Sequence, residues 1–565
     1  MKQSVPFFKA SLKFSWVLLI VIAIAILLRI LNLGSREFWY DEVLSLLVST
    51  GQGINYRGPK QLPVDLSDYT ALLNLPPESS IGNVLETVKN IFKSLLGDVH
   101  PPVSFLSLHV WLRLFGNSEA ALRGLVTLLS AGAIASAYGL GRFLMGHRGG
   151  LLLAALLAAN PYYLSHSLTI RMYGFLILWT ILSAWALLEL VGVHNLGLKT
   201  ERDVNSDVTS HTDKSIHPFV WSLILIGSVV AGLSTQYLFA YWVLTLGIFV
   251  LIFDWRHWWQ HGLRLGAGVL LAVPWVLWGT RQQLNNRGES VSQISNEDTS
   301  AVLQHFQDVT QTLGAHLVVG DWITSLPPVI VTLAGCIAIV VLGVCIATLW
   351  RQGQHRSLRV ALALGILPLV LALSVDVITG KFTVGFGWGR AIIFILPGCL
   401  LLLALGLERA AKQWRIPLTV ALLLFFLSVS VADLGTRPRW MFHQVADLIE
   451  QDATAPTLIA MNSRAWGHVL RLAYYIPSKS PVMLLAQSSD KLIPALEKTL
   501  VSKPAEYQRL LWLDSAAPVW GSPSTDAQKQ QIQQIIEGQF KLEKTLPLTG
   551  TMKFDNFTAH LYQRP

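Results

Sequence analysis

Charge is what this sequence has least of. Only 14% of its 565 residues are Asp, Glu, Lys or Arg, against 52% hydrophobic, and the mean hydropathy is +0.48. Soluble domains carry roughly 25% charged residues. One buried core cannot absorb that deficit, so most of the chain must be solvated by lipid. Cysteine is scarce as well. Cys336, Cys345 and Cys399 all lie inside apolar runs, where a thiol behaves as a small hydrophobe, so neither a disulfide framework nor a thiolate zinc site is implied. A G-x-x-x-x-G-K-[ST] phosphate loop is missing, which argues against ATP as a direct energy source. No internal repeat or low-complexity segment stands out. The net charge of +9 would suggest nucleic acid, but the basic residues gather in short loops between apolar runs, as bilayer orientation requires. No nucleic-acid partner is expected.

What is present is a series of apolar runs. A crossing needs about 20 apolar residues, and that rule gives roughly 11 spans, near 14–33, 122–144, 149–166, 172–194, 217–234, 237–253, 262–279, 327–350, 358–377, 391–407 and 416–433. Lys2, Lys9 and Lys13 precede the first, and no clear small-residue cleavage site follows it, so an uncleaved span with a cytoplasmic N-terminus is expected. Counting from there, the inside loops hold Arg142 and Arg148, then Lys199, Arg202 and Lys214, then Arg256 and Arg264, then Arg351, Arg356 and Arg359, then Arg409, Lys412 and Arg415. Each is basic, as the positive-inside rule demands. Segments 34–121, 280–326, 376–390 and everything after Asp433 then fall outside. Pro101–Phe115 is apolar but only about half a crossing, which predicts helices lying at the interface. From about Thr436, short apolar runs at Thr457–Met461, Val482–Ala486 and Leu510–Leu513 read as buried strands. They alternate with helix-like Ala465–Tyr475 and Ser524–Gly538. The expected architecture is an α-helical polytopic membrane protein of about 11 transmembrane helices, residues 1–433 including outer loop 34–121, with a C-terminal extracytoplasmic α/β domain, residues 434–565.

The polar motifs collect in the outer segments. Phe38-Trp39-Tyr40-Asp41-Glu42 follows the first span. Aromatic rings suit the headgroup zone, and carboxylates at the edge of a low-dielectric region are open to pKa tuning. The plain alternative is an aromatic belt with a solvated acidic turn. Asp98-Val99-His100-Pro101-Pro102 carries a helix-start signal in its prolines, and Asp98 also reads as an N-cap. Asn160-Pro161-Tyr162-Tyr163 through Arg171-Met172-Tyr173 fills a short outer loop, where a guanidinium can fork onto phosphate oxygens. Gly380-Lys381 through Gly389-Arg390 is glycine-rich and precedes a span. Such backbone can approach an anion closely, although glycine-rich loops are commonly just flexible. His257 and His261 have the spacing of a metal pair, but they sit among Trp255, Trp258 and Trp259 in an interfacial loop.

Taken in order, these stretches resemble the type-C glycosyltransferases, the group of protein O-mannosyltransferases, lipid A aminoarabinose transferases and rhizobial lipopolysaccharide sugar transferases. The likeness rests on the first span followed by Trp39-Tyr40-Asp41-Glu42, then Asp98-Val99-His100-Pro101-Pro102. It continues through Leu108-His109-Val110-Trp111-Leu112-Arg113-Leu114-Phe115-Gly116, Ser118–Arg123, Asn160-Pro161 and Arg171-Met172-Tyr173. Ser234-Thr235-Gln236-Tyr237 and Arg390 with Pro397 fit more loosely. Relatives often place an acid where Leu168-Thr169-Ile170 stands, histidine at Gln236, and arginine-tyrosine at Arg390-Ala391. These departures put a second carboxylate, and any metal it would hold, in doubt.

The resemblance implies a sugar donor on a polyprenyl phosphate and a lipid, glycan or protein acceptor. It implies transfer on the extracytoplasmic face of a membrane, expected to be the bacterial plasma membrane. Asp41 is the expected base, with Glu42, Asp98 and His100 beside it in catalysis. Arg123, Arg171, Tyr173, Gln236, Tyr237, Lys381 and Arg390 are expected to bind substrate. A divalent metal is the one cofactor left open. Two rivals compete. A transporter would bury ionisable groups near the midplane, whereas Arg29 and Glu189 lie toward span ends. A non-catalytic receptor reading ligands through the C-terminal domain would leave Asp41, Asp98 and His100 unexplained.

Overall fold

The computed structural model describes residues 5–192, 217–283, 301–437, 440–502, 506–519, 521–550, 552 and 554–565. The basic residues Lys2, Lys199, Arg202 and Lys214 lie outside them. Among the described residues, seven helices are long and apolar enough to cross a membrane, or eight when the bent pair His355–Gly365 and Leu367–Thr379 counts as one. Two features account for the larger number read from the sequence. Glu119–Ala159 counts once in that number but is two helices that meet at Gly146, whose φ of 78° only glycine adopts readily. Pro218–Leu233 and Phe239–Phe253 are apolar but shorter than the others. Large apolar side chains such as Trp16, Ile20 and Leu27 on the first span, and Val329, Ile337 and Val340 on Pro328–Arg351, stand exposed. Lipid is the solvent that suits them. The chain is an integral membrane protein.

The chain forms two compact units. The first comprises Met1–Asn32, Leu95–Ser104 and Arg123–Gly435. Its innermost span is Arg390–Ala410, with 89% of its apolar window buried, against 28% for Lys13–Leu31. Small residues bring the helices of this unit together. A Cβ on Gly398 would lie 2.2 Å from the Leu364 carbonyl, and one on Gly141 would lie 2.9 Å from Gly150. Close backbone approach of this kind is how spans pack without a hydrophobic driving force.

The second unit comprises Leu33–Ser94, Phe105–Leu122 and Thr436–Pro565. It thus joins most of the outer loop to the C-terminal residues, a grouping that a boundary at 433/434 does not describe. Its core is one sheet. The strands are β1 (Val64–Asp65), β2 (Thr457–Met461), β3 (Val482–Ala486), β4 (Arg509–Ser515), β5 (Lys541–Thr549) and β6 (Asn556–Gln563), in the order β1-β3-β2-β4-β6-β5. β2, β3 and β4 are parallel and buried along their length, except for half-buried Met483, which is why they read as unbroken apolar runs. β1 comes from the outer loop and pairs antiparallel with β3, Val64 facing Leu484. Leu458, Leu485, Leu496, Leu510 and Trp512 centre the core.

Candidate active site

The site of the first unit is built on the turn that begins at Asp98. Asp98 Oδ1 accepts hydrogen bonds from the backbone N–H of Val99 (2.6 Å) and of His100 (3.1 Å), and lies 2.5 Å from His100 Nδ1. The helix after the two prolines starts only at Val103. Asp98 therefore caps its own turn rather than that helix, a correction to the N-cap reading. On the other side of the imidazole, Arg171 Nη2 approaches His100 Nε2 at 3.4 Å. A guanidinium can only donate, so this order fits a ring with its proton on Nδ1, given to Asp98. Burial alone would raise the Asp98 carboxyl. His100 and Arg171 outweigh it and hold the group well below the usual carboxylate range.

Three further motifs support this turn. Val103 N–H donates to the Ser234 carbonyl at 2.9 Å. Gln283 donates to the carbonyls of Leu95 (2.8 Å) and His100 (3.2 Å), and its Oε1 receives the Tyr237 hydroxyl at 2.6 Å. Trp275 Nε1 donates to that hydroxyl from the other side at 2.8 Å. With one acceptor and one donor already engaged, the Tyr237 hydroxyl serves as a hydrogen-bonding strut. Gln236, where relatives place histidine, donates to the Ala391 carbonyl at 2.9 Å. Gln283 is missing from the sequence reading, and a single glutamine at the end of a span gave no signal.

Arg171 closes the loop that starts at Asn160. Asn160 Oδ1 caps the helix Pro161–His166 by accepting from Tyr163 N–H (2.9 Å), and its amide donates to the His316 carbonyl (2.8 Å). Tyr173 packs on His166, ring centroids 4.6 Å apart. Arg123 is fully buried.

The glycine-rich loop spends part of its backbone donors on the protein itself. Gly387, Trp388 and Gly389 all have positive φ, at 57°, 57° and 79°. That is an unusual conformation for tryptophan, held by Tyr162 donating to the Trp388 carbonyl at 3.2 Å. The N–H groups of Lys381, Val384, Phe386, Trp388 and Ile392 already have protein acceptors. Asp376 takes two of the loop's donors, Thr383 Oγ1 at 2.5 Å and Val384 N–H at 2.8 Å. Lys381 is exposed, and Arg390 lies 5.8 Å from the centroid of the Phe386 ring.

Asp41 and Glu42 belong to the second unit, in the first turn of the Tyr40–Ser49 helix. Asp41 is half-buried. Glu42 is buried and its Oε2 accepts from Trp39 N–H at 2.7 Å, which caps the start of the helix. In the same unit, His109 lies 2.7 Å from the Ser49 carbonyl, and Arg113 bonds both His109 and the two oxygens of Glu78. The Leu108–Gly116 motif is therefore scaffold.

No group of three His, Cys, Asp or Glu side chains among the described residues converges as a metal would need. Asp98, the carboxylate at the centre of the first unit's site, is taken up by His100 and its own turn, so these residues do not fit a resident metal. His257 and His261 turn to Asp254, at 2.8 and 3.0 Å, which accounts for their spacing.

Residues 99–197 match the model of the dolichyl-phosphate-mannose-protein mannosyltransferase family. No curated protein sequence matches the chain. Among solved structures, the Archaeoglobus fulgidus oligosaccharyltransferase, crystallised with zinc and sulfate, is similar at 10% identity and a TM-score of 0.47, covering 87% of this chain and 67% of that one. ArnT from Cupriavidus metallidurans is similar in its apo state at 12% identity and a TM-score of 0.40, covering 97% of each chain. Likeness at this level carries no residue-by-residue correspondence. The matched segment contains the Val99–Pro102 turn and Arg171, the centre of the site just described.

Proposed function

We propose that the chain transfers a sugar from a polyprenyl-phosphate donor to a lipid, glycan or protein acceptor on the extracytoplasmic face of the bacterial plasma membrane, with inversion at the sugar carbon. In this reading the acceptor hydroxyl attacks the anomeric carbon and its proton passes to Asp41. The bond to the phosphate oxygen breaks, and the leaving phosphate takes the electron pair. A correctly placed base contributes on the order of 10²- to 10⁴-fold. Leaving-group charge needs fixed cations, and Arg171 and Arg390 are assigned that task, with Lys381 beside the loop and buried Arg123 acting through packing. Tyr173, Gln236 and Tyr237 set the shape of the donor site. An acceptor that is itself a phosphate would need no base.

The observation that carries the reading is the Asp98–His100–Arg171 line. Its carboxylate is a poor proton acceptor, held too acidic to serve as the base, so its role is to hold the imidazole and keep a guanidinium in place. That leaves Asp41 as the base. Lipid-linked sugar and glycolipid profiling of a strain lacking the protein tests the whole reading. One polyprenyl-phosphate sugar should accumulate and one glycosylated product should vanish. Unchanged pools of both would overturn it.

A further inference from the structure

Four residues before the proposed base, at Glu37, the chain enters a tight grip within the second unit. Glu37 Oε2 accepts from the Phe442 N–H at 2.7 Å. Phe38 N–H donates to the Tyr475 hydroxyl at 2.5 Å, the Phe38 carbonyl accepts from Arg471 Nη1 at 3.5 Å, and its ring packs on Tyr474 with centroids 4.7 Å apart. Tyr40 stands edge-on to His468 at 5.7 Å and to Phe554 at 5.4 Å, with the Arg471 guanidinium carbon 5.7 Å from its ring centroid. A Cβ on Gly467 would fall 2.5 Å from the Tyr40 ring. Most of these partners lie on one helix, Trp466–Tyr475.

That helix is itself locked from behind. Arg471 forms a forked pair with Asp555, Nη1 to Oδ2 at 2.9 Å and Nη2 to Oδ1 at 2.5 Å, and both side chains are fully buried. His468 Nε2 lies 3.2 Å from Asp555 Oδ1, and its Nδ1 lies 2.8 Å from Ser463 Oγ. Ser, His and Asp in a line suggest a nucleophile with its base. Three facts exclude that. All three residues are at most 1% exposed, so no substrate reaches the hydroxyl. Arg471 already occupies the carboxylate. Burial pushes the His468 imidazole below its ordinary range, making it a weak base. The network holds the helix in place and does no chemistry of its own.

We infer that the α/β unit positions the base: Gly467, Arg471 and Tyr475 fix Glu37–Tyr40 and thereby set where Asp41, the next residue, stands. The inference rests on the assignment of Asp41 under the proposed function. Gly467 is a positioning residue 426 positions from the group it serves. It must lack a side chain because the Tyr40 ring lies where a methyl group would go. Gly467→Ala displaces that ring and the carboxylate behind it, and a misplacement near 1 Å can cost up to about 100-fold in rate.

The test compares Asp41→Asn and Gly467→Ala in the purified full chain, with turnover of a polyprenyl-phosphate sugar and donor binding measured separately on folded protein. Asp41→Asn should lose at least ~100-fold in turnover. Gly467→Ala should lose about 10- to 100-fold in turnover with donor affinity unchanged, whereas a merely structural contact would lower the amount of folded protein and leave its turnover intact. Parental turnover in Gly467→Ala beside an inactive Asp41→Asn overturns the positioning inference and leaves the base standing. Parental turnover in Asp41→Asn overturns both. Should Gly467→Ala not accumulate, Tyr475→Phe keeps that ring and removes the hydroxyl that accepts from the Phe38 N–H. It should slow turnover several-fold at unchanged donor affinity, and parental turnover there overturns the inference equally.

Discussion

Asp98→Asn isolates what the carboxylate does for the site. Asp98 accepts two backbone N–H groups and one imidazole N–H. An amide oxygen can keep the backbone pair, so the turn should survive. What it loses is the charge behind the 2.5 Å contact to His100. A hydrogen bond to a charged group is worth about 1.5–3 kcal/mol, roughly twice a neutral one, so neutralising it should cost about 1–2 kcal/mol. Asp98 and His100 are about a quarter exposed, and solvent screening keeps the estimate at that level. If the lost energy falls on the transition state, turnover drops about 5- to 30-fold.

The assay is a double-mutant cycle of Asp98→Asn and His100→Ala, read as turnover at saturating donor and at matched amounts of folded protein. Because both act through one line to Arg171, the double variant should be no worse than the poorer single one. Two independent, additive losses would show that Asp98 and His100 do not act as a unit. Parental turnover in Asp98→Asn would reduce the motif to a capped turn.

Arg390→Ala should weaken donor binding more than it slows turnover, since a guanidinium forks onto phosphate oxygens; unchanged donor affinity removes Arg390 from the site. Asp555→Asn strands the fully buried Arg471 cation and should destabilise the second unit by about 3–5 kcal/mol, measured by denaturant unfolding. The native Asp555 carboxyl is held well below its usual range, since Arg471 and His468 outweigh its burial. Its stabilisation is therefore present above the unfolded value near ~3.9 and is lost as pH falls below that. Asp555→Asn should flatten the acid limb of the stability profile, and an unchanged limb refutes this account. A reporter fused after Pro565 should read as extracytoplasmic and one in the 351–357 loop as cytoplasmic, and the reverse at either point would undo the placement of the site.

The strands at Thr457–Met461 and Val482–Ala486 were legible because a parallel strand buried on both faces is an unbroken apolar run. The Asp98–His100 turn was legible because its chemistry is local, two residues apart. β1 was not. A two-residue strand has no period to detect, and its pairing partner lies 420 residues away at Leu484. The same holds for Asp555, whose neighbours Phe554 and Asn556 describe only a turn, while its partners Arg471 and His468 lie more than 80 residues earlier. The glycine-rich loop was only partly legible for a related reason. Glycine permits close approach to an anion, but it equally permits positive φ, and nothing in the loop's own residues reveals that Asp376 had already taken two of its donors.

Arg29 separates the enzyme reading from its transporter rival. It lies inside the first span and is 1% exposed, and among the described residues no carboxylate pairs with it. An ionisable group inside a span marks function by default, although Arg29 stands near the end of its span rather than at the midplane where a transporter binds its cargo. Arg29 donates to Ser167 Oγ at 2.8 Å, to the Ala158 carbonyl at 2.8 Å and to its own Ala25 carbonyl at 2.9 Å. It also sits 5.5 Å from the centroid of the Tyr163 ring. All but the Ala25 contact lie at or beside the short loop from Asn160 to Arg171. A cation bound to carbonyls, a hydroxyl and a ring has nothing to exchange protons with and no ion to release. It pins the first span to the loop that carries Arg171, and a fixed guanidinium is what a leaving phosphate requires.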